Sequence, residues 1–167
     1  MTDKIEIFYN VLTKEEMSML ISDIKPTVSV DNMLYFNNKP SNDGIKKANC
    51  NDHPLISTLL DRLHISREQL DIASFLCYPT GSFNSPHSDN CIVENGVVTK
   101  IKPWTHSGIV YLNSEFIGGE LIYPDQGCTF KPLPGICIIS PAGEKFPHFV
   151  NKVLRGERMA IVLRLIL

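Results

Sequence analysis

Near Asp71 the sequence changes texture, to a pattern that few folds accept. From there to the carboxyl end the apolar residues come in short runs rich in β-branched and aromatic types, broken at close intervals by Gly and Pro. That pattern belongs to a sandwich or barrel of short strands. Strands are predicted at 72–78, 107–112, 120–123, 128–131, 136–139 and 158–166. Asn95 and Gly96, flanked by Ile92, Val93, Val97 and Val98, are a two-residue hairpin signal that needs positive φ at both turn positions. The residues ahead of Asp71 read differently. A short strand at 5–8 precedes a helix opened by Thr13, whose hydroxyl caps the first turn while Glu16 reaches back. Met17, Leu20, Ile21 and Ile24 recur at helical spacing, and Pro26 follows where the helix must stop. A second helix is predicted over 54–63. Between the helices, the run of turn formers from Asn37 to Gly44 reads as a loop, and the segment 37–48 as a candidate lid. Helices first and antiparallel strands after them imply an α+β chain, mainly β, with helices buttressing one sheet.

Composition narrows the function classes. The 167 residues carry 16 basic and 18 acidic side chains, a formal net charge of −2, so wholesale phosphate binding is not expected and nucleic acid is an unlikely partner. The length suits a single domain, with 1–70 as strand and helical support and 71–167 as the β core. The apolar runs are too short to span a bilayer and the first residues too polar for a signal peptide, so the expectation is an intracellular, cytoplasmic protein without membrane attachment. Five cysteines, an odd number with no Cys-x-x-Cys spacing, argue against both a disulfide framework and a zinc ribbon. They are expected as reduced thiols.

Among the five histidines, His87 is distinguished by Asp89 two residues on. In an extended segment residues i and i+2 face the same way, so imidazole and carboxylate can converge on one ion. Alone, a His-x-Asp pair is more often a surface pair. His148, in a later strand region, would complete two nitrogens and one carboxylate, the facial triad of non-haem Fe(II) oxygenases. Such a metal needs electrons, and 2-oxoglutarate supplies them if its distal carboxylate is held by a cationic fork. Arg158, ten residues beyond His148, is the candidate. Met159, Ile161, Leu163 and Leu165 form one apolar face of the last strand, which leaves Arg158, Ala160 and Val162 pointing to the barrel interior. The other reading of Arg158 is a residue at the barrel mouth paired with Glu157 or another acid. Arg164 shares the parity of Arg158 and lies six residues deeper, while Arg155 is expected in solvent.

At this point the residues match a known pattern. The run from Tyr78 through Gly81 to Pro86-His87-Ser88-Asp89 resembles the Tyr-x-x-Gly-x-x-x-x-Pro-His-x-Asp signature of prolyl 4-hydroxylase-like 2-oxoglutarate/Fe(II) dioxygenases. Tyr111-Leu112-Asn113 with Gly118-Gly119-Glu120, Pro132 to Gly135, and His148 to Val150 with Gly156-Glu157-Arg158 resemble later motifs of the family in their order. The resemblance covers about 72 to the end of the sequence. It implies a double-stranded β-helix, a jelly-roll relative. It also implies His87, Asp89 and His148 as iron ligands, with Arg158 as the partner of the 2-oxoglutarate C5 carboxylate. Tyr78 and Ser107 would be further co-substrate contacts. Ser107 stands where many members carry Thr, and Arg158 where collagen-type enzymes carry Lys. The implied reaction is hydroxylation of a C–H bond with release of succinate and carbon dioxide. It uses Fe(II), 2-oxoglutarate and O2, with ascorbate as a candidate reductant. A peptidyl proline in a peptide or protein partner is the first expectation for substrate, and a free amino acid or other small molecule the second. A non-catalytic metal-binding jelly roll is the reading of a different class, and a nucleic-acid demethylase ranks below these.

Overall fold

A computed structural model describes residues 4–30, 34–35, 39–40 and 44–167. Two antiparallel sheets face each other. The larger has seven strands in the order Glu6–Phe8, Cys137–Pro141, His106–Tyr111, Arg158–Leu165, Leu70–Tyr78, Lys46–Asn49 and Ser29–Val30. The smaller has four, in the order Cys128–Phe130, Leu121–Tyr123, His148–Val150 and Asn84–His87. Neighbours far apart in sequence are adjacent in space, as in the double-stranded β-helix that the motifs imply.

The helices Lys14–Ile24 and Pro54–Arg62 pack on the outer face of the larger sheet. The first begins with the expected capping box, in which the Thr13 hydroxyl accepts from the Glu16 amide and the Glu16 carboxylate accepts from the Thr13 amide. Arg62, at the end of the second helix, reaches that same Glu16 with both terminal nitrogens, at 2.6 and 2.8 Å. This guanidinium and the cap hold the Glu16 carboxyl down to about 2. His53 caps the second helix by accepting the Leu55 amide at Nδ1.

Strand parity sorts the chain into two cores. Met159, Ile161, Leu163 and Leu165 join Leu20, Ile56 and Leu59 of the helices, whereas Ala160 and Val162 pack between the sheets with Tyr78, Tyr111, Tyr123 and Leu121. The hairpin Cys91–Glu94/Val97–Lys100 turns through Asn95 and Gly96 at φ of 50° and 78°, the mirror-image turn the dipeptide predicts.

The expected 37–48 loop requires correction where it is described. Residues 36–38 and 41–43 lie outside the described residues, so a lid there has no structural account. Lys39–Pro40 pairs with Leu34–Tyr35, and Lys46–Asn49 is a strand laid along Leu70–Tyr78, with Lys46 opposite Cys77 and Asn49 opposite Ser74. The long neighbouring strand offers a row of backbone donors and acceptors, and polar side chains do not prevent their use. A further ribbon, Phe116–Gly118 with Val153–Gly156, is likewise not expected from the sequence.

Candidate metal centre

The site lies inside the jelly roll where the smaller sheet meets the end of the larger one. His87 closes the Asn84–His87 strand and His148 opens His148–Val150, and the two histidines are direct cross-strand partners. Their ring centroids are 4.5 Å apart. Asp89 comes from the bend just beyond His87. Its amide and that of Asn90 both donate to the Ala142 carbonyl, which pins the bend to the end of Cys137–Pro141. Asn90 also accepts the Ile101 and Lys102 amides at its backbone carbonyl and donates from Nδ2 to the Trp104 carbonyl. The base of the exposed hairpin is thereby tied to the residue after Asp89.

His87, Asp89 and His148 are brought together: one donor atom from each lies within 4.8 Å of the others. The Nδ1 of His87 is 2.7 Å from the Ser85 carbonyl and that of His148 is 3.1 Å from the Phe146 carbonyl. A carbonyl only accepts, so each Nδ1 carries a proton and Nε2 is the nitrogen left to face an ion. Burial pushes the His148 imidazole down to about 4, against the opposing pull of Asp89, so the ring is neutral at pH 7. Burial would raise the Asp89 carboxyl, but Arg164 and then the two imidazoles outweigh it and hold it well below the usual carboxylate range. The Asp89 side chain is 1% exposed, and neither of its oxygens has a hydrogen bond of good geometry. Two imidazole nitrogens and an anionic oxygen gathered at one point fit a divalent metal.

Arg158 lies deeper in the same interior and is 1% exposed. Its guanidinium stands over the Tyr78 ring at 4.6 Å and the Tyr111 ring at 5.0 Å, and Nε donates to the Gly119 carbonyl at 3.1 Å. Gly119 has φ of +70°, and a Cβ there would lie 2.8 Å from Arg158 Cδ, so this approach requires glycine. Glu157 is engaged by Lys25 on the outside and leaves Arg158 alone. The Nη2 of Arg158 and the hydroxyl of Tyr111 are buried without a hydrogen bond of good geometry. A buried guanidinium with an unfilled edge calls for an anionic ligand.

Two further expected contacts also lie in this interior. Tyr78 is buried beneath Arg158, with its phenol pushed up by that burial. Ser107 is buried, and its hydroxyl accepts from Nη1 of Arg164 at 2.8 Å. Tyr111 and Arg164 are the residues that sequence reasoning passed over. Tyr111 was visible only as part of a motif, although its place in the central strand marks it as inward. Arg164 already shared its parity with Arg158, but nothing in the sequence names its partner: its Nη1 stands 2.5 Å from Asp89 Oδ2.

The fold is the one seen in solved prolyl hydroxylases and in a solved 2OG-Fe(II) oxygenase. The chain is similar to the viral collagen prolyl hydroxylase of Paramecium bursaria Chlorella virus-1, solved as its 2-oxoglutarate complex. The TM-score is 0.70 at 17% identity, with 96% of this chain and 94% of that one covered. It is similar as well to a Trichoplax adhaerens prolyl hydroxylase in complex with a peptide of the hypoxia inducible factor oxygen degradation domain. There the TM-score is 0.71 at 18% identity, covering 98% and 84%. In sequence it is 32% identical over 88 residues to prolyl 3-hydroxylase 2 of Rattus norvegicus, a match covering 46% of this chain and 12% of that protein. The chain thus corresponds to a small part of the curated relatives it matches. No family model matches it.

Proposed function

We propose that this chain is an Fe(II)- and 2-oxoglutarate-dependent dioxygenase domain that hydroxylates a C–H bond of a peptidyl proline. One observation carries the reading: a His, carboxylate, His donor set shares a closed interior with a buried arginine whose Nη2 makes no hydrogen bond of good geometry. A metal site kept for structure alone has no use for that second, separate cationic end. When bound, iron would activate O2 with two electrons drawn from 2-oxoglutarate, so that one oxygen atom would leave in succinate as carbon dioxide is released and the other would be inserted into the substrate C–H bond.

The chain's own residues hold and shield. His87 and His148 present Nε2 because the Ser85 and Phe146 carbonyls hold the opposite nitrogens protonated. Asp89 adds a negative charge at a point where water does not compete. Arg158, stacked on Tyr78 and Tyr111, offers a planar fork to the distal carboxylate of 2-oxoglutarate, and the Tyr111 hydroxyl adds a polar group on the same wall. A small-molecule substrate is the alternative. The peptide seated on the Trichoplax adhaerens protein and the activity named for the rat relative support a peptidyl one. The five free cysteines, four of them buried, support an intracellular setting. Among the described residues no helix is long and apolar enough to cross a membrane.

The test is anaerobic titration with Fe(II) and then 2-oxoglutarate, followed in the visible charge-transfer region. A chelate band that His87→Ala abolishes is the expected result, and proline-containing peptides are then screened for succinate formation with ascorbate as reductant. Absence of the band in the intact protein overturns the co-substrate assignment.

A further inference from the structure

We propose that Arg164 is a positioning residue that reserves one oxygen of Asp89, so that the carboxylate offers a bound metal a single donor. The inference rests on the proposed metal site and concerns how many coordination positions the protein leaves open. The two oxygens of Asp89 are not equivalent. Oδ1 lies 3.5 Å from Nε2 of His87, while Oδ2 lies 3.7 Å from Nε2 of His148 and 2.5 Å from Nη1 of Arg164. Arg164 cannot easily withdraw. Its strand pairs on one side with Ser107 and on the other with Ile72. Its Nη1 also donates to the Ser107 hydroxyl, and its guanidinium stands 5.1 Å from the Trp104 ring. Trp104 in turn donates from Nε1 to Asp71 at 2.6 Å. Four residues from two separate segments, 71–72 and 104–107, therefore place one cation against one carboxylate oxygen.

A carboxylate that chelates must turn both oxygens to the same ion. With a guanidinium fixed on Oδ2, that rotation would bring a divalent cation and a second positive charge to one oxygen, at a site shielded from water. The carboxylate is held instead with Oδ1 beside His87. A facial triad is useful because its remaining positions are open. A two-oxygen aspartate would close one of them, the one that 2-oxoglutarate or oxygen must occupy. Ser107, expected as a co-substrate contact, acts here through Arg164.

The test counts metal-bound water in the Mn(II)-loaded protein by electron spin-echo spectroscopy in D2O, which requires neither co-substrate nor turnover. Wild type is expected to show at least one more bound water than Arg164→Met at saturating Mn(II), and Arg164→Lys to restore it. In the Fe(II) proteins, Arg164→Met is expected to need about tenfold more 2-oxoglutarate to form the chelate band. Ser107→Ala, which removes an anchor and leaves the strand intact, is expected to move both readouts the same way by less. It stands in should Arg164→Met fail to fold, as judged by its thermal melt. Equal water counts in wild type and the folded variants overturn the proposal. A wild type that binds Mn(II) and Fe(II) yet forms no chelate overturns the dioxygenase reading instead, and the water count still judges Arg164.

Discussion

The Arg158–Leu165 strand has two faces built on opposite rules. Toward the helices it presents Met159, Ile161, Leu163 and Leu165, all buried, against other apolar side chains. Toward the smaller sheet it presents Arg158 and Arg164 with Ala160 and Val162 between them. The first face is satisfied by any close-packed apolar neighbour, because apolar burial has no direction. The second contains charges whose partners must stand at particular angles. One of them, Arg158, is left with an unfilled edge. Stability is thus concentrated on one side of the strand and chemistry on the other, a few ångströms apart.

That division can be broken or sharpened by experiment. The largest effect is expected for His148→Ala: Fe(II) and Mn(II) binding falls below detection by calorimetry, while the circular dichroism spectrum stays that of a folded β protein. Next, Leu163→Ala on the apolar face should cost about 2–5 kcal/mol in urea unfolding, with metal binding retained by the folded fraction. A Leu163→Ala variant that keeps its stability but loses metal would break the comparison. Third, Arg158→Met should weaken 2-oxoglutarate chelation by about tenfold or more while lowering the melting temperature less than Leu163→Ala does.

The fourth expectation concerns pH. His148 is held down to about 4 in the folded chain against 6.5 ordinarily, so the unfolded chain binds the proton first. The stability that the neutral His148 contributes to the metal-free protein is fully present above pH 6.5 and is lost as pH falls toward about 4. His148→Gln should flatten that part of the profile in urea melts. The smallest effect belongs to the first helix: Thr13→Ala removes the cap and should cost about 0.5–2 kcal/mol, with no change in metal affinity.

Much of this division was legible in the residues. The alternation of the last strand assigns its apolar face without any knowledge of what covers it, and the capping box at Thr13 and Glu16 is local by nature. The Asn95-Gly96 turn is equally local. Motif order pointed to His87, Asp89, His148 and Arg158, which the fold gathers into one interior. What escaped was whatever depends on a partner distant in sequence. Lys46–Asn49 reads as polar loop, since the only argument for a strand there is the open edge of Leu70–Tyr78. Arg164 reads as one more charged residue near the end of a strand until Asp89, 75 positions earlier, is set against it.

By itself, then, the sequence determined periodicities, caps, turns and the kinds of donor atom available, because each depends on neighbours a few residues away. Which oxygen of Asp89 faces a cation, which carbonyls set the histidine tautomers and which guanidinium edge stays open were decided by the tertiary structure alone. Coordination and charge pairing act over about 2–4 Å, and only the closed sheets bring residues from separate strands to that range.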